Sequence, residues 1–204
     1  MRKFLVAATL MALPVVPAHA AIMSLGSIAP SGSNFQWTYG STLGPDEGVK
    51  AGSKFILFDF DGYVPGSIFS SVANLTPSTE LFSGTPFVIP GQTDDPTLTN
   101  LVFTWNGPAF QIGGGPYPSF TFNGLGALSI FYKSKLDAFT TWTVKNNPVR
   151  AAGTPVVTMG EDQLPTASIP EPATWVSMLI GFSMLGVAVR RRRRRGAGPR
   201  SIIG

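Results

Sequence analysis

The chain contains no cysteine and a single histidine. The first absence removes disulfide frameworks, Cys-rich zinc sites and thiol nucleophiles. The second removes clustered-histidine metal sites, and because His19 lies in a segment expected to be cut away, the processed protein has no imidazole for a Ser-His triad. Charge is scarce too: 13% of the 204 residues are charged and 44% are hydrophobic. That balance excludes a disordered polar chain and sets a size of about one domain with appendages. Long unbroken helical stretches are also missing. Gly 23 and Pro 18 interrupt the chain every few positions, which rules out a helical bundle and leaves short strands joined by turns.

What is present begins at the ends. Met1, Arg2 and Lys3 form a positive start, residues 4–16 form an apolar run, and Ala18-His19-Ala20 puts small residues at the two positions read by a signal peptidase. This pattern predicts a secretory signal peptide over 1–20, cut after Ala20. A first core helix or a permanent anchor is the alternative, but a run of thirteen residues broken by Pro14 is too short to span a bilayer.

At the other end, residues 175–189 carry no charge, and Arg190, Arg191, Arg192, Arg193, Arg194 and Arg195 follow without a break. A fifteen-residue helix at about 1.5 Å per residue spans roughly 22 Å, short of the roughly 30 Å hydrocarbon core. Extension through Ala173 and Thr174, snorkelling arginine stems and local bilayer thinning close the gap, so a transmembrane helix is expected over 173–189. The arginine cluster holds its end on the cytoplasmic face, with residues 196–204 as a cytoplasmic extension. In a soluble protein such a cluster would suggest phosphate contacts with nucleic acid. Here it abuts an apolar segment in an exported chain, and no nucleic-acid partner is expected. The chain as a whole is +4, yet between residues 21 and 169 acidic side chains outnumber basic ones, so the positive balance belongs to the ends.

Pro170-Glu171-Pro172, then Trp175, the apolar run and the arginines resemble the PEP-CTERM sorting signal, in its PEPxxWA variant. Val176 departs from that variant's alanine, and nine residues follow the arginines. The resemblance covers about the last sixth of the chain. It implies recognition by an exosortase, an integral-membrane transpeptidase or protease of exopolysaccharide-producing Gram-negative bacteria. The implied route is export through the inner membrane, a transient stay there, and release to the outer surface or medium. The local chemistry agrees with that implication. Two prolines keep Glu171 in an extended, polyproline-like segment that a protease cleft can grip, and Trp175 suits the membrane interface. A plain C-terminal anchor is the competing reading.

Between these addresses the pattern is strand and turn. Runs at 35–39, 54–60, 87–89, 98–105, 120–122, 127–132, 139–144 and 156–159 are rich in aromatic and β-branched residues and are separated by Gly, Pro, Asn and Asp. Leu101, Phe103 and Trp105 alternate with Val102 and Thr104, a period of two. The expectation is an all-β passenger, a single jelly-roll-like β-sandwich over 21–160, followed by a linker over 161–169. The glycines at 113–115 read as a turn, since no Lys-Ser/Thr or helix follows them.

For chemistry only carboxylates remain. Asp59 and Asp61, two apart, would project from one face of an extended strand and form a weak candidate for a hard cation such as Ca²⁺, although the ligand pattern of a calcium loop is not met. A solvated strand end with an Asp-Gly turn is the simpler reading. Asp94-Asp95-Pro96 reads as a turn, and no spacing singles out a glycosidase pair among Asp59, Asp61, Asp94 and Asp95. Trp37, Trp105 and Trp142, together with the many phenylalanines, are either core residues or a sugar-stacking face. No motif implies a cofactor. The sequence thus predicts an exported, non-enzymatic surface or matrix protein, with a carbohydrate-binding module of the exopolysaccharide matrix or a carboxylate-dependent hydrolase as alternatives.

Overall fold

The computed structural model describes residues 21–81, 94–114, 117–146 and 151–167. Among these residues there is no helix. Ten strands form two antiparallel sheets: β1 (Ile22–Ser31), β2 (Asn34–Leu43), β3 (Glu47–Gly48), β4 (Lys54–Phe60), β5 (Phe69–Ser70), β6 (Leu75–Glu80), β7 (Thr99–Trp105), β8 (Phe120–Ser129), β9 (Lys133–Lys145) and β10 (Pro155–Thr166). One sheet has the order β1-β2-β8-β5. The other runs β10-β9-β4-β7-β6, with β3 added beside β9. Their inner faces meet in one core, the arrangement of a β-sandwich. Trp37 and Tyr39 of the first sheet share that core with Phe55, Leu57, Leu101, Phe103 and Phe139 of the second. Trp37 packs edge-on against Phe60 with ring centroids 6.4 Å apart.

The period of two read in β7 is the core pattern. Leu101, Phe103 and Trp105 all point inward, and Val102 joins Ile56, Phe58 and Ala138 in a second cluster on the opposite face. β4, apolar at almost every position, is buried on both faces, as expected of a strand in the middle of its sheet.

Proline explains which runs escaped sequence reading. Pro30 lies in β1, Pro77 in β6, and Pro155 and Pro165 in β10, and all three strands are sheet edges. An edge strand has one side without ladder partners, so the missing proline N–H is tolerated there and also discourages pairing with another chain. β1 turns into β2 through Gly32-Ser33, with Ser31 opposite Asn34 and Gly32 at φ 63, the left-handed geometry that tight hairpins need.

The expected linker at 161–169 is corrected by the same logic. β10 continues to Thr166, paired with β9 from Glu161 opposite Ala138 to Thr166 opposite Lys133. Leu164 is fully buried, and the Tyr39 hydroxyl donates to the Gln163 carbonyl at 3.0 Å. The polar and proline-containing composition of this stretch reflects an edge strand with one wet face. The expected run at 87–89, the signal segment, and everything from residue 168 onward lie outside the described residues.

Candidate functional site

Of the residues singled out for sorting, Ala18, Ala20, Pro170, Glu171, Pro172, Trp175 and the six arginines fall outside the described residues. Among the described residues no helix is long and apolar enough to cross a membrane.

Asp59 and Asp61 do fall within the fold, and Asp59 is not arranged as an extended strand would place it. Leu57 faces Leu101 while Phe60 faces Thr99, so β4 carries a bulge against β7. Asp59 sits in it at φ 52, a left-handed conformation that aspartate tolerates better than most residues, and the strand's alternation is interrupted there. The Asp59 amide donates to Asn100 Oδ1 at 2.8 Å, and Asp59 Oδ1 accepts from the Asp95 amide at 2.9 Å. Asn100 in turn donates from Nδ2 to Asp94 Oδ1 at 2.9 Å, and Asp95 Oδ1 accepts from the Thr97 amide and hydroxyl. Asp59 and the adjacent pair Asp94-Asp95 are therefore brought together across the sequence, but as the wiring of a loop onto a strand. Burial pushes the Asp59 carboxyl up to about 6, against the pull of the Asp95 amide and with Asp137 and Asp94 adding to the rise. Hydrogen bonds from Thr97 hold Asp95 below the ordinary carboxylate range. Among the described residues no group of three His, Cys, Asp or Glu side chains is placed to hold a metal ion.

The tryptophans divide between core and surface. Trp37 and Trp105 are buried, and their indole N–H groups donate to the carbonyls of Phe131 at 3.0 Å and Pro108 at 2.8 Å. Trp142 is half-buried. A cleft of about 380 Å³ opens at one end of β8, with Trp105, Phe110, Phe120 and Phe122 as its aromatic lining and Asn74 and Asn123 beside them. Phe120 stacks edge-on against both Phe110 and Phe122 at 4.9 and 5.0 Å, and it is 40% exposed. Of the tryptophans and phenylalanines that the sequence offers for such a face, Trp105, Phe110, Phe120 and Phe122 are the ones that line the cleft. Phe120 and Phe122 are neighbours on one face of β8, and Phe110 joins them from the loop after β7, which bridges to Val49.

A second polar site lies inside the core, at the chain's first described residue. Ala21 is fully buried, and its carbonyl accepts from Thr141 Oγ1 at 3.2 Å. Near it Glu47, 3% exposed, receives Thr143 Oγ1 on Oε1 at 3.4 Å, while its Oε2 is buried without a hydrogen-bond partner. Burial raises the Glu47 carboxyl to about 7, although the amides of Gly44 and Ala21 and the Thr143 hydroxyl favour its ionised form. Thr141 and Thr143 are the inward-facing positions of β9, so the threonine repeat read as strand propensity also supplies hydroxyls to this pocket. Nothing in the sequence pattern around Glu47 marks it as an interior residue.

Residues 168–194 match the PEP-CTERM protein-sorting motif. No curated protein matches the chain.

Proposed function

We propose that this protein is an exported, non-catalytic surface or extracellular-matrix protein: a two-sheet β passenger delivered by a cleaved signal peptide, held transiently in the inner membrane, and released by an exosortase acting at Pro170-Glu171-Pro172. The observation that carries this reading is the sorting motif at 168–194, which begins just after the last residue of β10 and its single following position. In this reading the fold ends at Thr166, so only a few residues separate the sandwich edge from the proline-framed glutamate. The cutting segment then stands close to the membrane surface, at a height set by Trp175 and the arginines. The apolar run inserts with its arginines inside, and the polyproline-like segment is presented outside to a membrane-embedded enzyme.

Intact-mass analysis of the protein from cells with and without an exosortase tests this reading. A species lacking the arginines only when the enzyme is present supports it. An unchanged tail in both strains overturns it.

The aromatic cleft favours a second reading, a carbohydrate-binding module of the exopolysaccharide matrix. Sugar rings stack their apolar C–H faces on exposed aromatics while amides take their hydroxyls, and Phe120 with Asn74 and Asn123 supplies both kinds of group. Retardation on polysaccharide gels that is lost in Phe120→Ala would support it. Equal mobility of both proteins with and without polysaccharide would dismiss it. The carboxylate-dependent hydrolase has less support, because the aspartates that meet near Asp59 are engaged with backbone amides and Asn100.

A further inference from the structure

Glu47 presents an unsolved electrostatic problem. A carboxylate oxygen buried without a partner is costly to keep charged, yet Glu47 Oε2 is in that position. Among the described residues the charged groups around it do not resolve it. Asp46, beside it on the chain, opposes its ionisation. Lys145, its register partner on β9, has an exposed side chain. From the start of the chain the backbone amide of Ala21, which can offer one N–H, favours the ionised form of Glu47. Ala21 is also the residue that becomes the first of the mature protein if the signal peptide is cut after Ala20.

We propose that signal-peptide removal turns this contact into a buried ion pair, in which the new α-ammonium of Ala21 takes the Glu47 carboxylate and locks β1 into the core. The proposal rests on the reading that processing occurs after Ala20. The chemistry is a peptide hydrolysis: water adds across the Ala20–Ala21 bond, the hydroxyl going to the Ala20 carbonyl carbon and a proton to the Ala21 nitrogen. That nitrogen then takes a further proton to become an ammonium. Where the precursor had one donor, the mature chain has three, with a full positive charge to balance the carboxylate. The site around it is already built. Thr141 holds the Ala21 carbonyl, Thr143 holds Glu47 Oε1, and Oε2 is the acceptor left over.

This arrangement makes folding follow processing. Ala21 is fully buried, so the bond before it is cut while the chain is still open to the peptidase, and the completed fold closes over the new terminus. In the precursor the Glu47 carboxyl is raised above its unfolded value, so the precursor's folded form loses stability as the pH rises from about 4.5 through about 7. In the mature protein the ammonium keeps the carboxylate ionised, and its own pKa rises above the ordinary range of roughly 7.7 to 8.0. The mature fold therefore keeps this stability through neutral pH and loses it progressively above the ordinary amine range, up to the raised amine value.

The test uses the full chain, exported and purified from membranes in detergent, with its N-terminus read by intact mass. It compares wild type, Glu47→Gln, and a precursor in which Ala18→Leu and Ala20→Phe block processing. The expected results are a mature chain starting at Ala21 and an α-amine acylated at pH 7 at least about tenfold more slowly in the folded than in the urea-unfolded protein, one pKa unit being a factor of ten. From about pH 5 to pH 7.5 the urea midpoint should fall less steeply for the mature protein than for the precursor, the part of the slope due to Asp59 being common to both. Glu47→Gln should restore fast acylation. If that variant does not fold, the pH profiles of the mature wild type and the precursor and the acylation ratio still decide. A chain starting at Ala21 with equal acylation folded and unfolded, or with the precursor's pH profile, overturns the ion pair while leaving the processing reading intact. A different first residue overturns both.

Discussion

Residues at odds with their surroundings carry the most information here, and Asp59 is one. Its left-handed backbone, its burial and its acceptance of the Asp95 amide all follow from a single bulge in β4. Because the folded carboxyl is raised to about 6 from an ordinary 3.8, the folded state binds more protons than the unfolded state between those values. The associated stability is present below about pH 4 and is lost as the pH rises through 6. Asp59→Asn keeps the side chain's tolerance of the left-handed region and removes the titration. Its urea midpoint is expected to vary less with pH between 4 and 6 than that of wild type. At Trp37 the issue is packing: Trp37→Ala should cost about 3–5 kcal/mol, and Trp37→Phe about 1–3 kcal/mol through the orphaned Phe131 carbonyl, both measurable by equilibrium denaturation. None of these local conflicts was legible in the sequence. An Asp-x-Asp-Gly run at a strand end has the same letters whether its first aspartate is solvated or bent inward at a bulge.

At the level of strands and sheets, two features decide stability. The first is the close approach of β2 and β8 at Gly126, where a Cβ would collide with the Trp37 carbonyl and press on the Phe69 ring. Gly126→Ala must part the ladder or shift the core tryptophan, and an overpacking loss of about 1–3 kcal/mol is expected. Gly52→Ala makes a control, since a Cβ there meets nothing and only the positive φ costs, about 1–2 kcal/mol. The second feature is β10. If residues 161–166 were a tether, Leu164→Ala would leave the unfolding midpoint unchanged. As part of an edge strand with Leu164 in the core, the same change should cost about 2–5 kcal/mol. The central strands β4 and β7 were readable because both are apolar and proline-free. β1, β6 and β10 were missed or cut short because prolines and polar residues, which mark a break in a central strand, are ordinary at an edge.

For the whole molecule, the prediction concerns order and address. The apolar run and the six arginines are expected to hold the tail inside the cell until the sorting motif is cut. Replacing the arginines with glutamates should therefore lower the fraction of chains retained in the inner membrane and the yield of tail-less protein, read by fractionation and intact mass. The passenger should be unaffected in its own unfolding midpoint, because among the described residues its last strand ends at Thr166. A passenger that lost stability in the arginine variant would mean that the tail takes part in the fold.

The sequence by itself determined the sorting motif and the all-β fold class. A sorting segment is read by its linear order of charge, apolarity and small residues, and a period of two with abundant turn residues leaves an all-β chain as the physical solution. Tertiary structure alone decided which strands are edges, how far the domain runs, which aromatics surface in a cleft, and that Glu47 meets Ala21 across 26 positions of sequence. Those facts depend on pairing between distant segments. Whether a polar residue is solvated or enclosed depends on what the rest of the chain brings to it, which no local window of residues contains.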